Sequence, residues 1–464
     1  MKNLRPFDTS HLKFILLGSL LLGGIASILH SSPAKSPNII FILSDDQSWV
    51  GTSLQMLPDD ARTRSNYYRT PNLERLAAMG MSFSNGYAPA PFCCPTRRSL
   101  QIGQDVVHHM YNRDRENWTR TYREQLNLVQ MLKRADPNYR TAHFGKWDLR
   151  YDKISPQQMG YDRSDGITSN NEGGYDVQKE RKRERDAHPA EDPKEIFTLS
   201  QRSCDFMEEQ TKAGRPFYIQ LSHYAVHLSV YYQQKTLDQY SAASDDARHT
   251  MPEFAAMTED LDAGLGIIMD KIQALGIEEN TYIIFMSDNG GTKRVPGQPS
   301  ADLPRNHPLR GYKSNMYEGG IRVPLIIVGP DIAAGVRCSE SVSGLDLFPT
   351  FADWAGYSQS LPVKVEGASL KPLLTGKGKI ERRRPFLFFH HAADRLPQSA
   401  LILDEYKLVK TWKEDRLELY DLSSDLEESE NLVLQKPELT ARLHRMMLNY
   451  LEQSNAETRY LKKK

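Results

Sequence analysis

Short apolar runs recur along the chain at Ile39–Leu43, Phe217–Leu221, Tyr282–Met286 and Leu325–Val328, each bounded by turn residues. Runs of this length without polar alternation fit strands buried on both faces. Between them, Leu73–Met79, Leu126–Ala135, Phe197–Gln210 and Met257–Leu275 carry the spacing of helices, and Thr70-Pro71-Asn72 is a helix-start signal before the first. This alternation predicts an α/β fold: a large mixed, mostly parallel sheet sandwiched by helices. After about residue 345 the texture changes. Ile402–Leu403, Lys407–Lys410 and Leu417–Tyr420 are short strand-like pieces between polar turns, and a helix is expected near Pro437–Glu452. They predict a smaller C-terminal domain with a short antiparallel sheet and a helix. Gly356, Pro362, Gly367, Gly376 and Gly378 mark the join, giving a catalytic domain over 36–360 and a C-terminal α+β subdomain over 361–464. There is no internal repeat.

The start of the chain has its own character. Lys2, Arg5 and Lys13 precede an apolar run from Phe14 to Leu29, then Ser31, Ser32, Pro33 and Ala34. A basic start, a short apolar centre and small residues describe an export signal over residues 1–35, with a periplasmic or secreted product. The run also approaches the length of an uncleaved membrane anchor; cleavage leaves no stable membrane association. Lysine plus arginine and aspartate plus glutamate balance at 59 each, so no global field attracts nucleic acid. Any anionic substrate must meet a local cluster of cations. The four cysteines, Cys93, Cys94, Cys204 and Cys338, do not form a disulfide framework. The charged run Lys179–Asp186 reads as a solvated helix or loop, with a grip on a polyanion as the functional rival.

Two acidic pairs follow directly on predicted strands: Asp45-Asp46 after Ile39–Leu43, and Asp288-Asn289, then Gly290-Gly291, after Tyr282–Met286. Ligands of open α/β sheets bind outside the carboxyl ends of strands, so both pairs fall on one edge. Carboxylates gathered there repel unless a cation neutralises them, and oxygen-only donors suit Ca²⁺ or Mg²⁺. As separate pairs, these aspartates could equally cap turns. The segment Phe92-Cys93-Cys94-Pro95-Thr96-Arg97 places Pro95 in the first turn of a helix carrying Arg97, with Cys93 just before its N-terminus.

Cys93, Pro95 and Arg97 resemble the Cys-x-Pro-x-Arg signature of formylglycine-dependent type I sulfatases, of the alkaline phosphatase superfamily. The resemblance runs in order along the chain. It includes Asn38–Asp46, Thr70–Ala77, Tyr139-Arg140-Thr141 with Phe144-Gly145-Lys146-Trp147, and Phe285–Gly291. It continues through Gly311-Tyr312-Lys313, Glu318–Pro324 and Leu419-Tyr420-Asp421-Leu422. It implies that a separate maturing enzyme oxidises Cys93 to formylglycine (3-oxoalanine). Asp45, Asp46, Asp288, Asn289 and modified Cys93 are then ligands of Ca²⁺, or of Mg²⁺. Arg97 holds the modified residue ionised, Lys146 and Lys313 bind sulfate oxygens, and His227 protonates the leaving alcohol at a pKa expected near neutrality. His223 is the competitor for that role. His307 is a further substrate-binding candidate, and His108-His109 and His390-His391 read as structural or rim residues. Two positions depart from the family: Ile102 replaces a hydroxyl residue before Gly103, and Asp148 stands where the family commonly has histidine. Asp148 is either a base or a residue pointing elsewhere.

The implied activity is sulfate-ester hydrolysis, with a sulfated carbohydrate as first choice of substrate. Gly160-Tyr161-Asp162-Arg163-Ser164-Asp165-Gly166 resembles a stretch in carbohydrate-acting members. Loops near 160–175 and 295–310 are expected to shape the pocket. A phosphate or phosphonate monoester hydrolase of the same superfamily, and an inactive sulfate-ester-binding relative, are the alternative readings.

Overall fold

The computed structural model describes residues 36–109, 124–149, 154–172, 188–189, 191–241, 244–392 and 396–456. The signal-like segment 1–35, the glycosylation sequon Asn117-Trp118-Thr119 and the charged run 179–186 lie outside them. No described helix is long and apolar enough to cross a membrane.

The main sheet has eight strands. In chain order they are β1 (Asn38–Ser44), β2 (Met81–Phe83), β3 (Arg140–Gly145), β4 (Arg163–Ser164), β5 (Phe217–Ser222), β6 (Thr281–Ser287), β7 (Leu325–Val328) and β8 (Val336–Cys338). Their order across the sheet is β8-β2-β7-β6-β1-β5-β3-β4. The run β6-β1-β5-β3-β4 is parallel, and β7 is antiparallel to both of its neighbours. The expected mixed, mostly parallel sheet is therefore present.

The apolar runs follow from coverage on both faces. Ile39, Phe41 and Leu43 enter a core with α3 (Leu128–Ala135) and α6 (Leu347–Trp354). Ile40 and Ile42 enter the opposite core with α1 (Pro71–Met79), α4 (Ile196–Lys212) and α5 (Pro252–Leu275). Alternate side chains of one strand thus feed two cores.

The second sheet is an antiparallel meander of β9 (Leu387–His391), β10 (Gln398–Leu403), β11 (Tyr406–Thr411) and β12 (Arg416–Asp421). Helix α7 (Pro437–Gln453) covers one face, through Leu443 and Met447 on Leu401, Leu408 and Leu419. On the other face, Phe389, Ala400, Ile402 and Val409 bury Met316, Tyr317 and Ile321. This face also carries charge into the interior. Lys407 Nζ lies 2.7 Å from Glu318 Oε1 and 2.9 Å from Glu428 Oε1, all three buried. Arg322 Nε lies 2.5 Å from Glu318 Oε2. Burial, against the pull of Lys407, pushes the Glu428 carboxyl up to about 7.

Removing the only lysine among these four groups leaves buried carboxylate without compensation. Lys407→Met is expected to lower unfolding stability by about 3–5 kcal/mol, read as a shift of the urea midpoint. An unchanged midpoint would show that the quartet does not hold the two sheets together.

Candidate active site

The central parallel strands deliver most of the site in adjacent positions. Ser44 of β1 pairs with Ser287 of β6, so Asp45-Asp46 and Asp288-Asn289 leave the sheet side by side. On the other flank, Leu43 pairs with Ser222 of β5, whose following loop carries His227. Gly145 at the end of β3 pairs with that same Ser222 and leads into Lys146 and Asp148. Gly145 has φ +86°, and a Cβ there would lie 2.1 Å from the Ser222 carbonyl oxygen. Only glycine lets β3 turn against β5 in this way. Likewise a Cβ on Gly290 would lie 2.0 Å from the Gly319 carbonyl oxygen, so glycine allows the Lys313-bearing segment to close on the acidic pair.

Helix α2 (Cys93–Ile102) supplies the rest. It begins at Cys93 itself, one step earlier than expected, with Phe92 as N-cap and Pro95 in its first turn. Cys93 is buried beside Lys313, whose Nζ donates to its sulfur at 3.2 Å. The Cys93 thiol lies 3.8 Å from Asp46 Oδ1. Burial, with Asp45 nearby, raises the thiol well above its ordinary pKa. As an unmodified thiol, residue 93 is therefore protonated and a poor nucleophile. Cys94 is buried on the same helix. None of the four cysteines, all among the described residues, is in a disulfide.

Arg97 does not reach residue 93 through a hydrogen bond. Its Nε donates to Asp288 Oδ2 at 2.9 Å, with Nη2 2.8 Å from the same oxygen. Its Nη1 donates to the Lys146 carbonyl at 2.6 Å. The guanidinium thus ties the second acidic pair to the β3 turn. Lys146 Nζ is 2.5 Å from Asp45 Oδ2, and Lys313 Nζ is 2.5 Å from Asp46 Oδ1. Lys313 remains partly open to solvent, its side chain 15% accessible. Asn289 Nδ2 donates to Asp46 Oδ1 at 2.8 Å, and the Asp46 amide donates to Asp288 Oδ1 at 3.2 Å.

Burial would raise both Asp45 and Asp46. Lys146 nevertheless holds Asp45, and Lys313 holds Asp46, below the ordinary carboxylate range. Asp288 is less fortunate: burial and the charge of Asp45 push it up to about 7 against Arg97. Asp45 Oδ1, Asp46 Oδ2 and Asn289 Oδ1 are buried without a hydrogen-bond partner. Crowded carboxylates with unsatisfied oxygens are the chemistry a hard divalent cation relieves. Asp45, Asp46, Cys93 and His227 also place ligand-type atoms within 4.8 Å of one another. The donor set therefore fits such a cation.

His227 belongs to this cluster in a way the sequence did not reveal. Its Nε2 is 3.7 Å from Asp46 Oδ2, while Nδ1 lies 2.7 Å from the Leu228 carbonyl, fixing the ring. Burial pulls its pKa down to about 4 against Asp46, so it is neutral near pH 7 rather than titrating there. His223 is buried, with neither ring nitrogen hydrogen-bonded, and the charge acting on it is Asp192. His307 responds to Glu427, Arg62, Arg248 and Asp60, none of which belongs to the carboxylate cluster. His108 pairs with Asp105 at 2.8 Å, and the buried His391 ring packs on Phe92 at 4.8 Å.

Asp148 points inward. Its Oδ2 is 3.5 Å from Lys146 Nζ, and its amide donates to the Thr168 carbonyl at 2.9 Å. Thr168 also accepts from the Trp147 amide at 2.9 Å and donates to the Gly145 carbonyl at 2.5 Å. No sequence signal marked this threonine, because a lone Thr in a loop carries no pattern. The Gly160–Gly166 stretch braces the same strand. Asp162 accepts from the Thr141 amide and Asp165 from the Gly145 amide, both at 2.8 Å. Its aspartates support β3 and the turn that carries Lys146.

The Sulfatase family model matches residues 37–357, and the model described as N-sulphoglucosamine sulphohydrolase, C-terminal, matches residues 311–457. A sulfatase of Formosa agariphila is 28% identical, covering 96% of this chain and 94% of that protein. Human arylsulfatase A is 30% identical over 80% of this chain and 73% of its own. Among solved structures, Ps i-CgsB in complex with k-i-k-neocarrahexaose has the same fold at a TM-score of 0.73. It is 23% identical and covers 90% of this chain and 93% of that one. With its strand order, its ring of cations and its acids at one sheet edge, the chain belongs to the sulfatase family of the alkaline phosphatase superfamily and is a sulfuric ester hydrolase.

Proposed function

We propose that this protein releases inorganic sulfate from a sulfated carbohydrate, using residue 93 matured from cysteine to formylglycine beside a bound Ca²⁺. The observation that carries this reading is the meeting of Cys93, Asp46, Lys313 and His227 within one buried cluster. Asp45, Asp46, Asp288 and Asn289 would hold the cation together with residue 93. Bound there, the cation supplies Lewis-acid stabilisation of the sulfuryl oxygens, and the hydrated aldehyde supplies a hydroxyl nucleophile. A separate maturing enzyme supplies the oxidation. The carbohydrate class is supported by the oligosaccharide seen with Ps i-CgsB. The basic-apolar-small start of the chain supports export to such a substrate.

The chain's own groups then divide the work. Lys146, Lys313 and Arg97 present positive charge from three separate elements, which suits an anion with oxygens in several directions. His227 faces the cluster through Nε2. A sulfate ester entering beside it raises its basicity, so Nε2 takes up a proton from water and passes it to the leaving oxygen as the S–O bond breaks. Asp148 takes the proton whose removal regenerates the aldehyde. Arg97, by binding Asp288 and the Lys146 carbonyl, keeps the acids and the β3 turn in register.

Mass spectrometry of the peptide containing Cys93, after production with a maturing enzyme, is expected to show the aldehyde. Cys93→Ser should fold normally and lose turnover; a persistent thiol in an active enzyme would sink the nucleophile assignment. Added Ca²⁺ should raise the thermal midpoint, stabilising by about 2.7 kcal/mol at a hundredfold excess over Kd. Asp46→Asn should remove that response, and an equal response in both proteins would place the ion elsewhere. His227→Gln is expected to slow sugar sulfates, which have poor leaving groups, by about 10²–10⁴-fold. Activated aryl sulfates should lose far less, and equal losses on both would contradict the proton-donor role.

A further inference from the structure

Asp148 sits where its charge does something besides accepting a proton. It is buried, and its Oδ2 is 3.5 Å from Lys146 Nζ. That same ammonium is 2.5 Å from Asp45 Oδ2. Lys146 is therefore shared between two carboxylates before any substrate arrives. Its remaining positive field is smaller than that of a lysine with one partner. Arg97 feels Asp148 as well, and its guanidinium is already committed to Asp288. Lys313 alone among these cations is partly open to solvent. Relative to a neutral side chain at this position, Asp148 removes one unit of positive charge from a dry pocket built to hold an anion.

That subtraction does not fall equally on all anions. A sulfate monoester carries one negative charge. A phosphate monoester carries two once its second proton, with a pKa of about 6, has left. The dianion loses about twice as much interaction with the pocket as the monoanion, and low effective dielectric enlarges the difference.

We propose that Asp148, by sharing Lys146 with Asp45, makes the site discriminate monoanionic sulfate esters from dianionic phosphate esters. This rests on the assignment of Lys146 and residue 93 to the sulfate-ester reaction. It makes Asp148 a specificity-determining residue, and it disfavours the phosphate monoester hydrolase alternative for this chain. The backbone permits a clean substitution: Asp148 has φ +48°, a left-handed conformation that Asn adopts as readily as Asp.

The test compares matured wild-type enzyme with Asp148→Asn on three substrates sharing one leaving group: 4-nitrophenyl sulfate, 4-nitrophenyl phosphate and 4-nitrophenyl methylphosphonate. Measured at about pH 8, the phosphate ester is a dianion and the other two are monoanions. Because kcat/KM reports steps only through the first irreversible one, loss of a base acting after ester cleavage does not enter it. Ratios taken within one preparation also cancel any change in folded or matured fraction. The phosphate-to-sulfate ratio of kcat/KM is expected to rise about 10- to 100-fold in Asp148→Asn, while the phosphonate-to-sulfate ratio stays level. An unchanged or lower phosphate-to-sulfate ratio overturns the proposal. So does a phosphonate ratio rising in parallel, because the effect would then follow phosphorus rather than charge. A wild-type enzyme without sulfatase turnover would instead overturn the underlying functional assignment.

Discussion

Asp45, Asp46 and Asp288 stand at the ends of two neighbouring parallel strands, buried and in mutual reach. Their repulsion is the constraint around which the site is arranged. Water cannot screen it, so the chain must bring positive charge from other elements. Lys146 arrives from β3, Arg97 from α2, and Lys313 from the segment before β7. Each of these cations comes from a different part of the sequence. The site therefore exists only when the sheet, the helix and the loop are all in place. That makes the ring of cations preorganised: their positions are fixed by the acids before any ligand enters.

The C-terminal sheet takes part in this through the Lys313 segment. Residues on both sides of Lys313 are held by it. Arg310 donates to the Tyr420 hydroxyl at 2.6 Å, and the Met316 amide to Gln398 Oε1 at 3.1 Å. The Tyr317 hydroxyl donates to Glu418 at 2.7 Å, and the Glu318 amide to Glu428 Oε2 at 2.7 Å. A lysine with a long flexible stem is thus mounted on a segment held at four points, two of them backbone amides. The cost is a buried ion quartet, which favours one docking geometry over looser hydrophobic alternatives.

The legible parts of the sequence were those where local pattern and final environment agree. The runs Ile39–Leu43 and Tyr282–Met286 announced central strands because both of their faces are covered. The acids after them followed from the strand ends. Strand β3 carried no such signal: Arg140-Thr141-Ala142-His143-Phe144-Gly145 interrupts its apolar residues with polar ones that are satisfied only by tertiary partners such as Asp162 and Ser222. β9 was hidden in the same way, by His390 and His391. In the site, residue identities were readable, but their partners were not. Nothing in the sequence shows that Arg97 grips Asp288 rather than residue 93, or that burial carries His227 away from neutrality.

Asp148 shows why the distinction between identity and partner matters. As a letter in the sequence, it is a lost histidine, and it invites the conclusion of a weakened or altered catalyst. In the fold, its carboxylate is turned toward Lys146, the same lysine that holds Asp45. Its effect is then one of degree over the whole pocket, set by how much positive field remains for the substrate. On the proposed reading, a pocket whose positive field is reduced in this way favours a singly charged ester over a more highly charged competitor.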